Sequence, residues 1–185
     1  MVRRSVLFGE VFDALLAAAQ TGSGWAWDRL FTSLAPAVAG YLRVQGAHDV
    51  NDLTSEVFVS VFRNIGSFEG REDNFRSWVF VIAHRRLTDQ RRIAARRPSI
   101  HSFAELPDSC GVSDDLTASA TAGVLGLLDR LSPDQRDVLA LRIVADLTIE
   151  QIATSLGKSV EAVKALQRRG LDAIRRIISR EGIPL

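Results

Sequence analysis

TIEQIATSLGKSVEAVKALQRR, residues Thr148 to Arg169, reads as two helices around a tight turn. Thr148 with Gln151 three residues later is the reciprocal capping pattern that starts a helix, and Ile149, Ile152, Ala153 and Leu156 then recur along one helical face. Gly157-Lys158 supplies the turn, Ser159 caps a longer second helix, and Ala153 is small enough to let the two helices approach. Val163 and Leu166 anchor the second helix and leave Glu161, Lys164, Arg168 and Arg169 on its free face. This is a helix-turn-helix pattern. Such a helix has the size to enter a major groove, with its first turns toward base edges and its arginines toward phosphates. A helical hairpin with a solvated charged face would share the apolar spacing. The glycine turn, the two caps and the basic stripe together favour DNA.

Upstream of this segment, Ser132-Pro133-Asp134-Gln135 combines a side-chain cap, proline at the first helical position and glutamine at the capping-box position, so another helix starts there. Between Pro98 and Asp115 the periodicity disappears, and Pro98, Pro107, Gly111, several serines, Asp108, Asp114 and Asp115 make an acidic linker. The chain therefore divides into a first block, residues 1–97, a linker, residues 98–115, and a second block, residues 116–185. Helical periodicity runs almost throughout and no strand alternation is sustained, so the fold class is all-α, two small helical domains of which the second holds the helix-turn-helix.

In the first block, Gly22 to Gly24 separates the first two helices, Gly46 closes the second, Gly66 and Gly70 mark a loop after the third, and the fourth begins near Asn74. Pro36 should kink the second helix or start a new turn. Trp25, Trp27, Phe31, Leu34 and Tyr41 are interleaved with apolar residues at helical spacing and read as core. In the third helix, Val50, Leu53, Val57, Phe58, Val61, Phe62 and Ile65 form a wide apolar stripe, while Asp49, Asp52 and Glu56 share another face. That acidic face can balance its own helix N-terminus or bind a basic protein surface, and spacing alone favours the first. The fourth helix carries Arg85, Arg86, Arg91, Arg92, Arg96 and Arg97 against the single acid Asp89, a charge imbalance that suits a phosphate backbone and also occurs on plain solvated faces.

Composition bounds the rest. The net charge of +1 averages over segregated charges, and only Lys158 and Lys164 among 23 basic residues are lysines, which reflects either coding bias or the use of guanidinium for bidentate contacts. One cysteine, Cys110, excludes an internal disulfide and a cysteine-based zinc site within one chain. The histidines His48, His84 and His101 show no metal spacing, and nucleophile constellations and phosphate-cradling glycine loops are missing, so no enzyme and no cofactor are expected. The longest apolar run, Val11 to Ala19, is short and interrupted by Asp13, so a cytosolic location is expected.

DVNDLTSEVFVSVF, Asp49 to Phe62, followed by FRSWVFVIAHRRLTDQRR, Phe75 to Arg92, resembles the two central helices of bacterial sigma factors of the extracytoplasmic-function class. Their pattern runs roughly D-x-x-D-L-x-Q-E-x-F and F-R-x-W-L-x-x-I-A-x-N-x-x-x-D. LSPDQRDVLALRIVADLTIEQIATSLGKSVEAVKALQRR, Leu131 to Arg169, resembles that class's C-terminal domain, in the right order and at a suitable separation. The resemblance implies that Asp49, Asp52 and Glu56 contact core RNA polymerase. It implies that the loop from Asn64 to Phe75 captures a flipped base of the minus-ten element, with Ser67, Phe68 and Asn74 at the pocket and Arg76, His84, Arg85 and Arg91 facing the strands. It further implies that Glu161, Lys164, Ala165, Arg168 and Arg169 read the minus-thirty-five element, and that an anti-sigma factor masks these surfaces. Trp78 falls in the apolar stripe and reads as core rather than as a melting wedge. Ser55, Val81, Arg85, Ala165 and Leu166 depart from the usual residues of the class, which bears on the promoter sequence and not on the class. The alternative reading is a stand-alone two-domain helix-turn-helix regulator, which accounts for the second block but not for an acidic helix followed by a basic one in the first.

Overall fold

The computed structural model describes residues 7–96 and 126–181. Among them every regular element is helical. After a 3-10 turn at Gly9–Val11, the first domain consists of α1 (Phe12–Gln20), α2 (Gly24–Val44), α3 (Val50–Asn64), a 3-10 turn at Ile65–Ser67, and α4 (Glu72–Arg96). The second domain consists of a helical turn at 126–129, α5 (Pro133–Ile143), α6 (Ile149–Leu156) and α7 (Val160–Glu181). The interruption at 98–115, with Cys110 and His101, lies outside the described residues.

The first domain closes on the apolar stripes expected of it. Leu30, Leu34, Val38, Tyr41 and Leu42 of α2 meet Leu53, Val57, Phe58 and Val61 of α3 and Phe75, Val79, Phe80, Ala83 and Leu87 of α4 in one buried core. Each fully buried large side chain there contributes roughly 1.5–3 kcal/mol over leaving it in water. The α2 helix continues through Pro36 as one element and starts no new turn, although proline removes a donor from the ladder. The α4 helix starts at Glu72, ahead of the expected Asn74.

Three aromatic residues depart from the expected core. Trp25 is 62% exposed, Phe62 51% and Phe31 40%, whereas Leu34 and Tyr41 are buried and Trp27 is half-buried. Helical periodicity places all of these on a broad apolar arc, but two helices packed side by side cover only its centre. Trp27 and Phe62 meet edge to face at 4.9 Å, and Phe31 and Phe58 at 4.8 Å, so the margin of the α2–α3 seam stays open as an aromatic edge.

In the second domain, α7 packs across both α5 and α6. Gly170 makes the crossing possible: a β-carbon there would lie 2.9 Å from Leu139 Cδ1. The second domain also rests on the first. The α6 helix lies against α4, α5 touches α2, and Val144 approaches Gly40 to within contact distance of a β-carbon.

Candidate functional site

The helix-turn-helix is built by its own local chemistry. Thr148 Oγ1 accepts the Gln151 N–H at 3.1 Å and Gln151 Oε1 accepts the Thr148 N–H at 2.9 Å, the complete capping box. The α6 helix ends at Gly157 in the left-handed region, φ 62° and ψ 34°, where glycine carries no steric penalty, and the Lys158 N–H closes the turn on Ala153 O. Ser159 Oγ then accepts the Ala162 N–H at 3.2 Å and opens α7. Val163 and Leu166 are buried, Glu161, Lys164, Arg168 and Arg169 are exposed, and Ala165 is half-buried between them. The structure thus brings together every residue expected on the recognition face. Lys158 turns aside to pair with Asp134 at 3.3 Å.

The acidic residues of α3 divide. Asp49 is the N-cap and its carboxylate accepts the Asp52 N–H at 2.9 Å, which is the capping use that spacing favours. Asp52 and Glu56 remain on the exposed face, continuous with Ser55, Val59 and Phe62. Glu56 stands 4.0 Å from Arg86, whose guanidinium also donates to Ser60 Oγ at 2.7 Å. An exposed pair at that separation contributes little, so Glu56 retains most of its field.

The loop and α4 residues fall into two groups. Ser67, Asn74 and Arg85 are exposed. Ser67 Oγ donates to Asn64 O at 2.9 Å, and Asn74 sits in the first turn of α4. Phe68 is buried instead, its ring 5.1 Å from those of both Phe75 and Trp78, and Trp78, expected in the core, is half-buried and packs against it. Arg76, His84 and Arg91 make internal contacts. Arg76 Nε donates to Ala145 O of the second domain at 2.6 Å, His84 Nδ1 lies 2.9 Å from the Tyr41 hydroxyl, and Arg91 donates to Gln45 O at 2.6 Å. Of the remaining arginines, Arg92 pairs with Asp89 at 3.6 Å, and Arg97 lies outside the described residues.

Sequence reasoning did not foresee the polar cluster where the domains meet. Asp137 of α5 is buried beside His84 and Arg91, and burial raises its carboxyl above the usual range, aided by Asp134 and opposed by the positive groups His84 and Arg91 and by Gln45. Burial lowers His84, with Arg91 and Lys158 acting in the same direction and Asp137 opposing them. Burial likewise works against the charge of Arg76, which Asp146, Glu72 and Asp73 support. Tyr41 is held far above its ordinary value, chiefly by burial, and stays a neutral hydroxyl. Gln45 Nε2 and Asp137 Oδ1 are buried without a partner of ordinary hydrogen-bond geometry. Gln151 Nε2 adds a second cross-domain bond, to Asp73 O at 3.0 Å. The one available signal was an acid at an inward-facing position of α5, which periodicity alone does not pair with a residue in another domain.

Among the described residues, no helix is long and apolar enough to cross a membrane. Residues 30–97 match sigma-70 region 2, and residues 127–176 match sigma-70 region 4. The chain is 31% identical over 179 residues to the ECF RNA polymerase sigma factor ShbA of Streptomyces griseus subsp. griseus, covering 89% of this chain and 94% of that one. It is 29% identical over 171 residues to the ECF RNA polymerase sigma factor BldN of Streptomyces coelicolor, and spans 64% of that relative's length. CnrH, solved in complex with the cytosolic domain of CnrY, shares the fold at a TM-score of 0.67 and 24% identity, over 90% of this chain and 96% of that one. RpoE of Bartonella quintana, solved with the anti-sigma factor NepR, does so at 0.64 and 20%, over 82% and 96%. With regions 2 and 4 matched in order and 31% identity to ShbA along most of both chains, the chain belongs to the ECF RNA polymerase sigma factors.

Proposed function

We propose that the chain binds core RNA polymerase and directs it to promoters through three separate surfaces. The α7 face of Glu161, Lys164, Ala165, Arg168 and Arg169 reads minus-thirty-five duplex. The α3 face of Asp52 and Glu56, begun by the cap at Asp49, docks on a basic surface of the polymerase. The loop of Ser67, Phe68 and Asn74, with Arg76, His84, Arg85 and Arg91 of α4, takes the opened minus-ten strand. Residues 1–97 and 116–185 serve as the two functional units and residues 98–115 join them. The work is recognition in the cytoplasm, with no covalent step.

The observation that carries this reading is the exposure of Lys164 and Arg168 on a helix whose start is fixed by the Ser159 cap after a left-handed glycine turn, on the same chain as an exposed acidic face. Opposite charges on distinct surfaces fit two partners of opposite sign. The match to region 2 across the first domain leaves a stand-alone regulator without support. Arg76 and His84 lie against the second domain, so their use on DNA requires α5 and α6 to leave α4. RpoE is solved with the anti-sigma factor NepR, and a similar protein masking these surfaces fits this chain.

Separation of the surfaces is the test. Lys164→Ala should weaken minus-thirty-five binding by about 1–3 kcal/mol if it contacts a base, with polymerase binding intact. Asp52→Lys with Glu56→Lys should reduce polymerase binding and leave binding to minus-thirty-five duplex unchanged. The opposite pattern would overturn the assignment.

A further inference from the structure

The first helix contributes no side chain to any of these three surfaces, yet it grips the minus-ten loop. Gln20, the last residue of α1, donates both protons of its amide across 45 and 48 residues of sequence, to Ile65 O at 3.0 Å and to Phe68 O at 2.9 Å. Those carbonyls bracket the 3-10 turn Ile65–Ser67, which also closes on itself through the Phe68 N–H to Ile65 O. Two residues on, Gly70 adopts φ 148°, and a β-carbon there would lie 3.1 Å from Asn74 Cβ and 3.2 Å from the tip of the Phe68 ring. The backbone of the loop is therefore folded tightly over Phe68, with exposed Ser67 and Asn74 on either side.

At the far end of the loop, Glu72 holds the segment leading into α1. Its carboxylate accepts the N–H groups of Leu7, Phe8 and Gly9 at 2.6, 3.1 and 2.8 Å. The α1 helix itself cannot drift, because Phe12, Leu15, Leu16 and Ala19 are buried and Phe12 meets Phe75 at 5.7 Å. A rigid helix thus fixes both ends of a loop that has little regular structure of its own. A pocket that replaces the stacking a base loses on flipping needs its groups held at fixed separation.

We propose that Gln20 is a positioning residue for promoter recognition: from α1 it sets the separation of Ser67, Phe68 and Asn74, and through it the base preference of the minus-ten loop. This rests on the assignment of that loop to the minus-ten strand.

The experiment uses the full chain assembled with core polymerase and single-stranded oligonucleotides carrying a minus-ten element selected from a random pool, with each base substituted in turn. Gln20→Leu keeps a side chain of similar bulk and removes both donors; Gln20→Lys keeps donors on an unbranched side chain one atom longer. Gln20→Leu should lower discrimination at one base position by roughly tenfold, with other positions, polymerase affinity and minus-thirty-five binding unchanged, while Gln20→Lys retains most of it. If Gln20→Leu weakens all oligonucleotides equally, or only lowers the melting temperature, the residue is structural and the proposal fails. If Gln20→Leu does not fold, a Gln20→Lys chain that folds yet discriminates no better than an Asn74→Ala control overturns it as well. If Ser67→Ala and Asn74→Ala leave discrimination untouched in the parent chain, the loop assignment itself falls.

Discussion

Replacing Gly170 by alanine sets two known effects against each other, and the structure decides the sign. Alanine in a helix interior is favoured over glycine by about 1 kcal/mol, so an open site would gain stability. Gly170 is not open: its new β-carbon would lie 2.9 Å from Leu139 Cδ1, 3.4 Å from Leu139 Cγ and 3.5 Å from Gln135 Cβ. Leu139 is 1% exposed and cannot swing into solvent. Overpacking of this kind costs about 1–3 kcal/mol, so the net result is a loss of roughly 1 kcal/mol. Leu139→Ala removes the atoms in the way, and in that background Gly170→Ala should become neutral or stabilising, a coupling that a double-mutant cycle reads directly. Trp25, Trp27 and Trp78 all lie in the first domain, so denaturation should be followed by far-ultraviolet circular dichroism as well as by fluorescence, with the loss confined to the former. Because Gly170 follows Arg168 and Arg169 on the helix proposed to read the minus-thirty-five element, affinity for that element should fall in parallel. A gain of about 1 kcal/mol in both backgrounds would refute the close approach of α7 to α5.

Thr148→Ala removes the hydroxyl that accepts the Gln151 N–H, leaves the bond from its own backbone N–H to Gln151 Oε1 in place, and should cost about 1 kcal/mol in the second domain, with Thr148→Ser largely restoring it; equal stability of all three chains would mean the cap is idle. Acid should loosen the molecule through His84. Its folded pKa lies below the unfolded value of 6.5, so the stability it permits is complete above pH 6.5 and is lost as pH falls from there toward the folded value. Asp137 acts in the opposite sense: its raised pKa means that stability is greatest below 3.8 and declines as pH rises through the folded value. Thermal melts of the parent and of His84→Gln between pH 7 and pH 5 check this, and an identical acid-side slope in both would contradict it.

Much of the second domain was legible in the sequence because its signals are local. Thr148, Gln151, Gly157 and Ser159 each specify backbone geometry within four residues, and the α7 face follows from where the helix starts. The acidic face of α3 was equally visible, although the division between Asp49 as a cap and Asp52 and Glu56 as exposed charges needed coordinates. What the sequence could not carry was non-local. Trp25, Phe31 and Phe62 obey the same periodicity as buried neighbours, and only the packing of α2 on α3 shows which edge stays open. The bonds from Gln20 to Ile65 and Phe68, and from Arg76 to Ala145, join residues 45 to 69 positions apart that no motif links. Phe68 was assigned to a pocket by resemblance, whereas the structure buries its ring against Phe75 and Trp78.

The central claim is most directly tested by transcription with purified core RNA polymerase on a linear template carrying a promoter selected by the assembled complex. The account predicts initiation from one start site that requires this chain, that is lost when either promoter element is scrambled, and that falls with Lys164→Ala and with the Asp52→Lys, Glu56→Lys chain. A protein that binds the DNA tightly by itself and never directs core polymerase to initiate would contradict it.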